Sequence, residues 1–361
     1  MMHARNLRLL FLILALPAVL WSVVLKAQTP RVVADIAPIH SLVAQVMDGV
    51  AQPQLLISQN ASPHHYSMRP SEAKALQEAH LVIYVGSGLT PWLEPLFSTT
   101  AASAQKLDLT SVDDVVLFSY REGPIFRKHD EYQSVQPVDS DTHDHEVDDH
   151  GHEDEHEHDE HDEDGHQIGH DHDDEHGEDE HQIGHDHDHH GVDPHVWLDP
   201  YNAQLWLDAI ASELAQLDPR NASRYTANAQ TGKDLIAQAM RRIEEYLAPV
   251  HGQSFLVYHD AFQYFEERFH IAATGSITLG DAVSPSPKRL RELKQLFEEK
   301  AINCVLSEPQ FQSDLVDNVF SGHTFRIGVI DPIGANLRLS PAFYTELLEN
   351  IALGIAQCVK P

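Results

Sequence analysis

Four side chains stand where an α/β chain would offer ligands to a metal. They are His64 in ASPHHYSMRPS, His195 in VDPHVWLDP, His259 in LVYHD and Asp331 in VIDPIG. His259 directly follows the apolar run FLVY, Asp331 follows RIGVI, and His64 sits a short loop beyond QLLIS. Glu308, in SEPQF, ends another apolar run. In parallel sheets ligands gather beyond the carboxyl ends of strands. Three imidazoles and one carboxylate suffice for a tetrahedral zinc site. These residues come from both halves of the chain, so the site is expected in a cleft between the halves. Each alone has a plainer reading. A strand-end His can bond a carbonyl, Asp331 before Pro can be a turn residue, Glu308 can cap a helix or hold a ligand in place, and His65 competes with His64. His40, His80, His251, His270 and His323 lack a comparable setting and read as structural or exposed.

A second kind of metal chemistry is concentrated between Asp139 and Gly191. This stretch holds 16 of the chain's 27 His and 24 of its 56 acidic residues, with no Lys or Arg. The histidines are His143, His145, His150, His152, His156, His158, His161, His166, His170, His172, His176, His181, His185, His187, His189 and His190. The octapeptide HQIGHDHD occurs twice, from His166 to Asp173 and from His181 to Asp188. Such a composition cannot bury enough apolar surface to offset the entropy of folding, so 139–191 is expected as a disordered loop. A solubilising linker would need only Asp and Glu. The dense imidazole instead suits Zn, Cu or Ni.

Strand and helix signals alternate on either side of this insertion. Strands are expected at 31–38, 54–58, 81–86 and 115–118, with helices at 40–47, 70–79 and 92–98. Asn202 to Leu217 is amphipathic, and a helix from Arg220 to Leu247 without internal Pro would span about 40 Å. Beyond it, strands are expected at 255–258, 271–277, 302–306 and 325–330, and helices at 261–269, 287–299, 314–320 and 341–357. Nearly all-apolar strands suit parallel sheets covered on both faces. The expectation is therefore an α/β fold of two lobes, each a mainly parallel sheet with flanking helices, joined by one long rigid helix. The lobes fall at 28–218 and 249–361, with the linking helix at 219–248.

The net charge of −32 shrinks to −8 once the insertion is set aside. Nucleic acid, which selects a basic face, is not an expected partner. Arg5 and Arg8 precede an apolar run from Leu9 to Leu25, and residues 1–27 read as a cleavable signal peptide, with an uncleaved membrane anchor as the rival. Export makes the two cysteines, Cys304 and Cys358, candidates for a disulfide that would tie the last helix to its sheet, with a free-thiol metal site as the rival.

Taken in order, ASPHHYSMRPS, VDPHVWLDP, LVYHDAFQYFE, SEPQF and IDPIG, with an acidic His-rich loop between the first two, resemble the zinc-binding periplasmic components of ABC uptake transporters, of the ZnuA type. The likeness covers essentially the whole chain after the signal. It implies two four-stranded α/β lobes with the metal between them and His64, His195 and His259 as ligands. Asp331 or water would take a fourth, variable position, and Cys304 would pair with Cys358. Some members carry Glu just before the first His; here that residue is Pro63. Manganese-type relatives carry Glu where this chain has His259, and a nitrogen-rich set favours zinc. The implied role is a monomeric periplasmic protein, not an enzyme. It would capture Zn2+ and deliver it to a permease in the inner membrane, with the loop as collector or sensor. Affinity should fall as pH drops towards about 6.5, since protonated His cannot ligate. A periplasmic zinc store or chaperone is the alternative. A zinc hydrolase with Glu308 or Asp331 as base lacks any HExxH motif. Surface adhesion has no residue signature to read and is set aside.

Overall fold

The computed structural model describes residues 29–121, 123, 125, 126, 191–278, 280, 285–300, 302–310 and 314–360. The expected signal peptide and all 16 histidines of the insertion lie outside the described residues. No helix among the described residues is long and apolar enough to cross a membrane.

The order of the first half is β1 (Val32–Ala34), α1 (Ala37–Val46), β2 (Gln54–Leu55), α2 (Pro70–Glu78), β3 (Leu81–Tyr84), α3 (Leu96–Thr99) and β4 (Gln105–Asp108). Two helices follow, α4 (Pro200–Leu217) and α5 (Ala222–Leu247). The second half runs β5 (Leu256–His259), α6 (Gln263–Arg268), β6 (Gly275–Thr278), α7 (Pro287–Glu299), β7 (Cys304–Ser307), α8 (Asp314–Val319), β8 (Arg326–Val329) and α9 (Phe343–Val359). The strands form two four-stranded, all-parallel sheets, ordered β2-β1-β3-β4 and β6-β5-β7-β8. Central β3 and β5 are buried at every position, as helix-covered strands must be. Cys304 and Cys358 are bonded, fixing α9 against β7.

Two strand expectations are corrected. The fourth strand of the first sheet is Gln105–Asp108, in register with Leu81–Tyr84, and not 115–118. It lies at the sheet's edge, where one open side tolerates Gln, Lys and Asp. The apolar run at 115–118 instead forms an extended strap whose backbone bonds go elsewhere. Val116 N donates to Asn202 Oδ1 (2.8 Å), Phe118 N to the Tyr264 hydroxyl (2.9 Å), and Phe118 O accepts from Asp193 N (2.8 Å). The strap continues to the second sheet, where Ile125 bridges Gly275 and Phe126 N donates to Thr274 O (3.0 Å). The second correction is β6, which starts at Gly275 and runs to Thr278 rather than spanning 271–277.

The long helix is not a bare rod. Its 26 residues rise about 39 Å. Tyr225, Ala229, Gly232, Ile236, Ala239, Ile243 and Leu247 recur every three or four residues and are all buried. They face α4, α1 and α9. A Cβ on Gly232 would sit 2.9 Å from Leu207 Cδ1 and 3.0 Å from Gln45 Cγ, so glycine permits this close crossing. One apolar core runs from the first sheet through these helices to Val257, Cys304 and Leu306 of the second. Across the same packing, Tyr344 OH donates to Trp197 O (2.7 Å), and Ser41 Oγ donates to Ser340 O (3.0 Å).

His40 on α1 gives this core a pH dependence. Its Nε2 donates to Pro53 O (3.2 Å), while Nδ1 is buried without a partner. Burial holds its pKa below the ordinary 6.5, against the pull of the Pro53 carbonyl. The folded state thus favours the neutral ring. The resulting stability is complete above about pH 6.5 and is lost as pH falls through the lower folded-state value. Metal-free protein should therefore lose unfolding midpoint between about pH 7 and about pH 5. A His40→Gln variant, which keeps a donor for Pro53 O, should lose less. Equal slopes in a calorimetric pH series would refute the assignment.

Candidate metal centre

His195 is positioned by its own turn. Asp193 Oδ1 accepts from the backbone N of His195 (3.0 Å) and from its Nδ1 (2.7 Å). Asp193 Oδ2 accepts from the Gln263 amide (3.2 Å), and Tyr264 OH donates to Asp193 O (2.9 Å). Trp197, two residues on, lies 5.3 Å from the imidazole and donates its indole N–H to Pro332 O (2.8 Å), which ties the turn to the second half. His259 is the last residue of β5, and its Nδ1 donates to Glu308 Oε1 (3.0 Å) just past β7. His64 lies in the loop after β2. Trp92 donates its indole N–H to Pro63 O (2.9 Å), and Gln59 Nε2 donates to Gly334 O (3.0 Å) and Leu337 O (2.9 Å). His64 is half-buried while His65 is exposed, so of the two candidates it is His64 that joins the cluster.

One ligand nitrogen from each of His64, His195 and His259 lies within 4.8 Å of the others. His195 and His259 are only 4% and 3% exposed, and their Nε2 atoms are 3.2 Å apart. Two nitrogens about 2.0–2.1 Å from one zinc at the tetrahedral angle would be about 3.3 Å apart. With each Nδ1 engaged by a carboxylate, Nε2 is the nitrogen that each ring turns towards the other imidazoles, the orientation that suits a metal-binding tautomer. Burial pushes the Asp193 carboxyl up to about 7, opposed by the His195 backbone N–H and by the charges of Arg121, His259 and His64.

Asp331 is placed differently. Its Oδ1 accepts from Ile333 N (3.0 Å), Gly334 N (2.9 Å) and Gln310 Nε2 (3.2 Å), and its Oδ2 from Ala335 N (2.6 Å). It closes the turn after β8 and is not in the three-histidine group. Asp193 was not among the residues singled out from the sequence. The available signal was an Asp two residues before His195 across a Pro, able to fold back on that ring. Arg121, in the strap, was not singled out either. This buried guanidinium donates from Nε to Asp260 Oδ1 (3.0 Å), from Nη1 to Glu266 Oε2 (2.7 Å), and from Nη2 to both carboxylates. Phe126 covers it at 3.5 Å. Burial acts against its charge, but Asp260 and Glu266 more than offset this and raise its pKa. Asp260 directly follows His259, so this cation braces the far side of the three-histidine cluster.

Similarity to known proteins spans nearly the whole chain. The family described as zinc-uptake complex component A, periplasmic (ZnuA) matches residues 32–358. The high-affinity zinc uptake system protein ZnuA of Brucella abortus is 35% identical over 355 residues, covering 98% of this chain and 99% of the relative. Its counterpart in Paracoccus denitrificans is 39% identical over 335 residues, covering 92% and 93%. A crystal structure of ZnuA superposes with a TM-score of 0.64 at 20% identity, covering 92% of this chain and 100% of that one, a likeness of fold.

Proposed function

The chain belongs to the ZnuA family of periplasmic zinc-uptake components, and from that premise we propose that it captures Zn2+ through His64, His195 and His259 and hands the ion to an ABC permease of the inner membrane. The observation that carries this reading is the 3.2 Å separation of two Nε2 atoms whose rings are each locked at Nδ1 by a carboxylate. His64 closes the set from the opposite sheet's loop. Four donors hold the Asp331 carboxylate, which supports leaving it out of the ligand set. Residues 1–27 direct export, and 28–218 and 249–361 form the two sides of the site around the helix at 219–248. The core shared along α5 supports small movements of the sides on release rather than a wide hinge. The histidines of 139–191 gather zinc in weak, exchangeable sites and raise its local concentration.

The test is a chelator-competition titration of the exported chain and of a variant lacking 139–191. The variant should lose the weaker equivalents and keep one tight zinc. Loss of the tight site with the loop would refute this division of labour.

Orienting carboxylates make a smaller, separable contribution. Asp193→Asn presents an amide that no longer favours Nδ1–H on His195, and Glu308→Gln does the same to His259. Each should weaken zinc binding by about 10–100-fold. Competition against a chromophoric chelator measures this, and an unchanged dissociation constant in both variants would remove their assigned role.

A further inference from the structure

The three imidazoles border a cavity of about 270 Å3. A water's share of the liquid is about 30 Å3, so this space is several times larger than one coordinating water needs. Besides the three imidazoles and the carboxylate of Glu308, its walls are of two kinds. Asn60, Ser62 and Gln310 supply neutral polar groups, and Trp197, Pro332 and Ile333 supply apolar surface. Among the described residues no Lys or Arg lines it. A few polar groups set in an apolar concavity is the usual make-up of a small-molecule site.

A tetrahedral ion held by three histidines retains one open position. The nearby protein carboxylates are committed, Glu308 to His259 Nδ1 and Asp331 to its turn. Three neutral imidazoles also leave both charges of the ion uncancelled within the ligand set, so an anionic oxygen is the favoured fourth donor. We propose that the cleft binds its zinc together with one small exogenous carboxylate of the amino-acid type, whose oxygen takes the fourth position and whose body fills this cavity. The Asn60 amide and the Ser62 hydroxyl line the part of the cavity that takes the carboxylate and its polar substituent, and Trp197 and Ile333 the part that takes its side chain. The bare ion would then be one form of the cargo and the weakly chelated ion another. This rests on the three-histidine reading above.

Cobalt(II) serves as the probe, because its visible bands report the ligand set. The protein lacking 139–191 is loaded with one equivalent and titrated separately with acetate, L-alanine and D-alanine. Saturable band changes are expected with retained cobalt, and L-alanine should act at lower concentration than acetate. Ala61→Phe, which fills the cavity from a lining residue that offers no ligand, should load cobalt normally and lose the L-alanine response at least tenfold. Unchanged bands, cobalt released in proportion to the added acid, identical behaviour of the enantiomers, or an undiminished response in Ala61→Phe would each overturn the proposal. Failure of the wild type to take up cobalt in the cleft would instead overturn the three-histidine site itself, and the ternary complex with it.

Discussion

Replacing His64 by alanine is expected to abolish tight zinc binding while leaving the metal-free fold intact. His64 lies half-buried in a loop, so its removal opens no cavity in either sheet. The loss should exceed the 10–100-fold assigned to an orienting carboxylate, because it removes a donor rather than misaligning one. His259→Ala should weaken zinc at least as much. It should also cost stability without zinc, since Glu308 would be left buried beside β5 with no Nδ1–H to accept. Zinc at a thousand times the dissociation constant should stabilise the wild type by about 4.1 kcal/mol. In a thermal-shift assay both variants should show little of this gain. A full zinc-dependent shift in His64→Ala would mean that the ion is held elsewhere.

The second large effect is expected at Arg121. Its guanidinium bonds two buried carboxylates at once, joining the strap at 115–121 to α6 and to the residue after His259. Breaking a buried pair by removing one partner costs about 3–5 kcal/mol, because the remaining charge is left unpaired. Here two are left, so Arg121→Met should lower the unfolding free energy read from a denaturant titration by at least that much. Arg121→Lys should recover little of it, because one ammonium cannot span both carboxylates in the fork geometry. Adding Asp260→Asn and Glu266→Gln to Arg121→Met should restore part of the loss, and a double-mutant cycle would isolate the coupling. Additive effects across that cycle would contradict the assignment.

The particular residues show where sequence alone was enough. The central strands were legible because burial on both faces demands runs such as LVIY and LVYH. The long helix was legible from its spacing of apolar residues, although its packing against α1 and α9 was not, since periodicity does not name the partner. Gln105–Asp108 was missed because an edge strand need not be apolar, and 115–118 was taken for it because a strap packed on the core is apolar too. His64 and His259 were legible as imidazoles at or just beyond strand ends, and His195 as one in the loop before a helix. Asp193 and Arg121 were not, because an orienting carboxylate and a bracing cation are defined by what they touch. Asp331 carries the motif, yet its oxygens are committed to three backbone N–H groups and one amide, a geometry that no spacing rule encodes.

The most direct measurement is a crystal of the exported chain grown with zinc near neutral pH, with anomalous data collected on both sides of the zinc edge. One strong peak is expected about 2.0–2.1 Å from Nε2 of His195 and of His259, with His64 as the third nitrogen. A peak found only among the histidines of 139–191, with none between the three rings at saturating zinc, would contradict it.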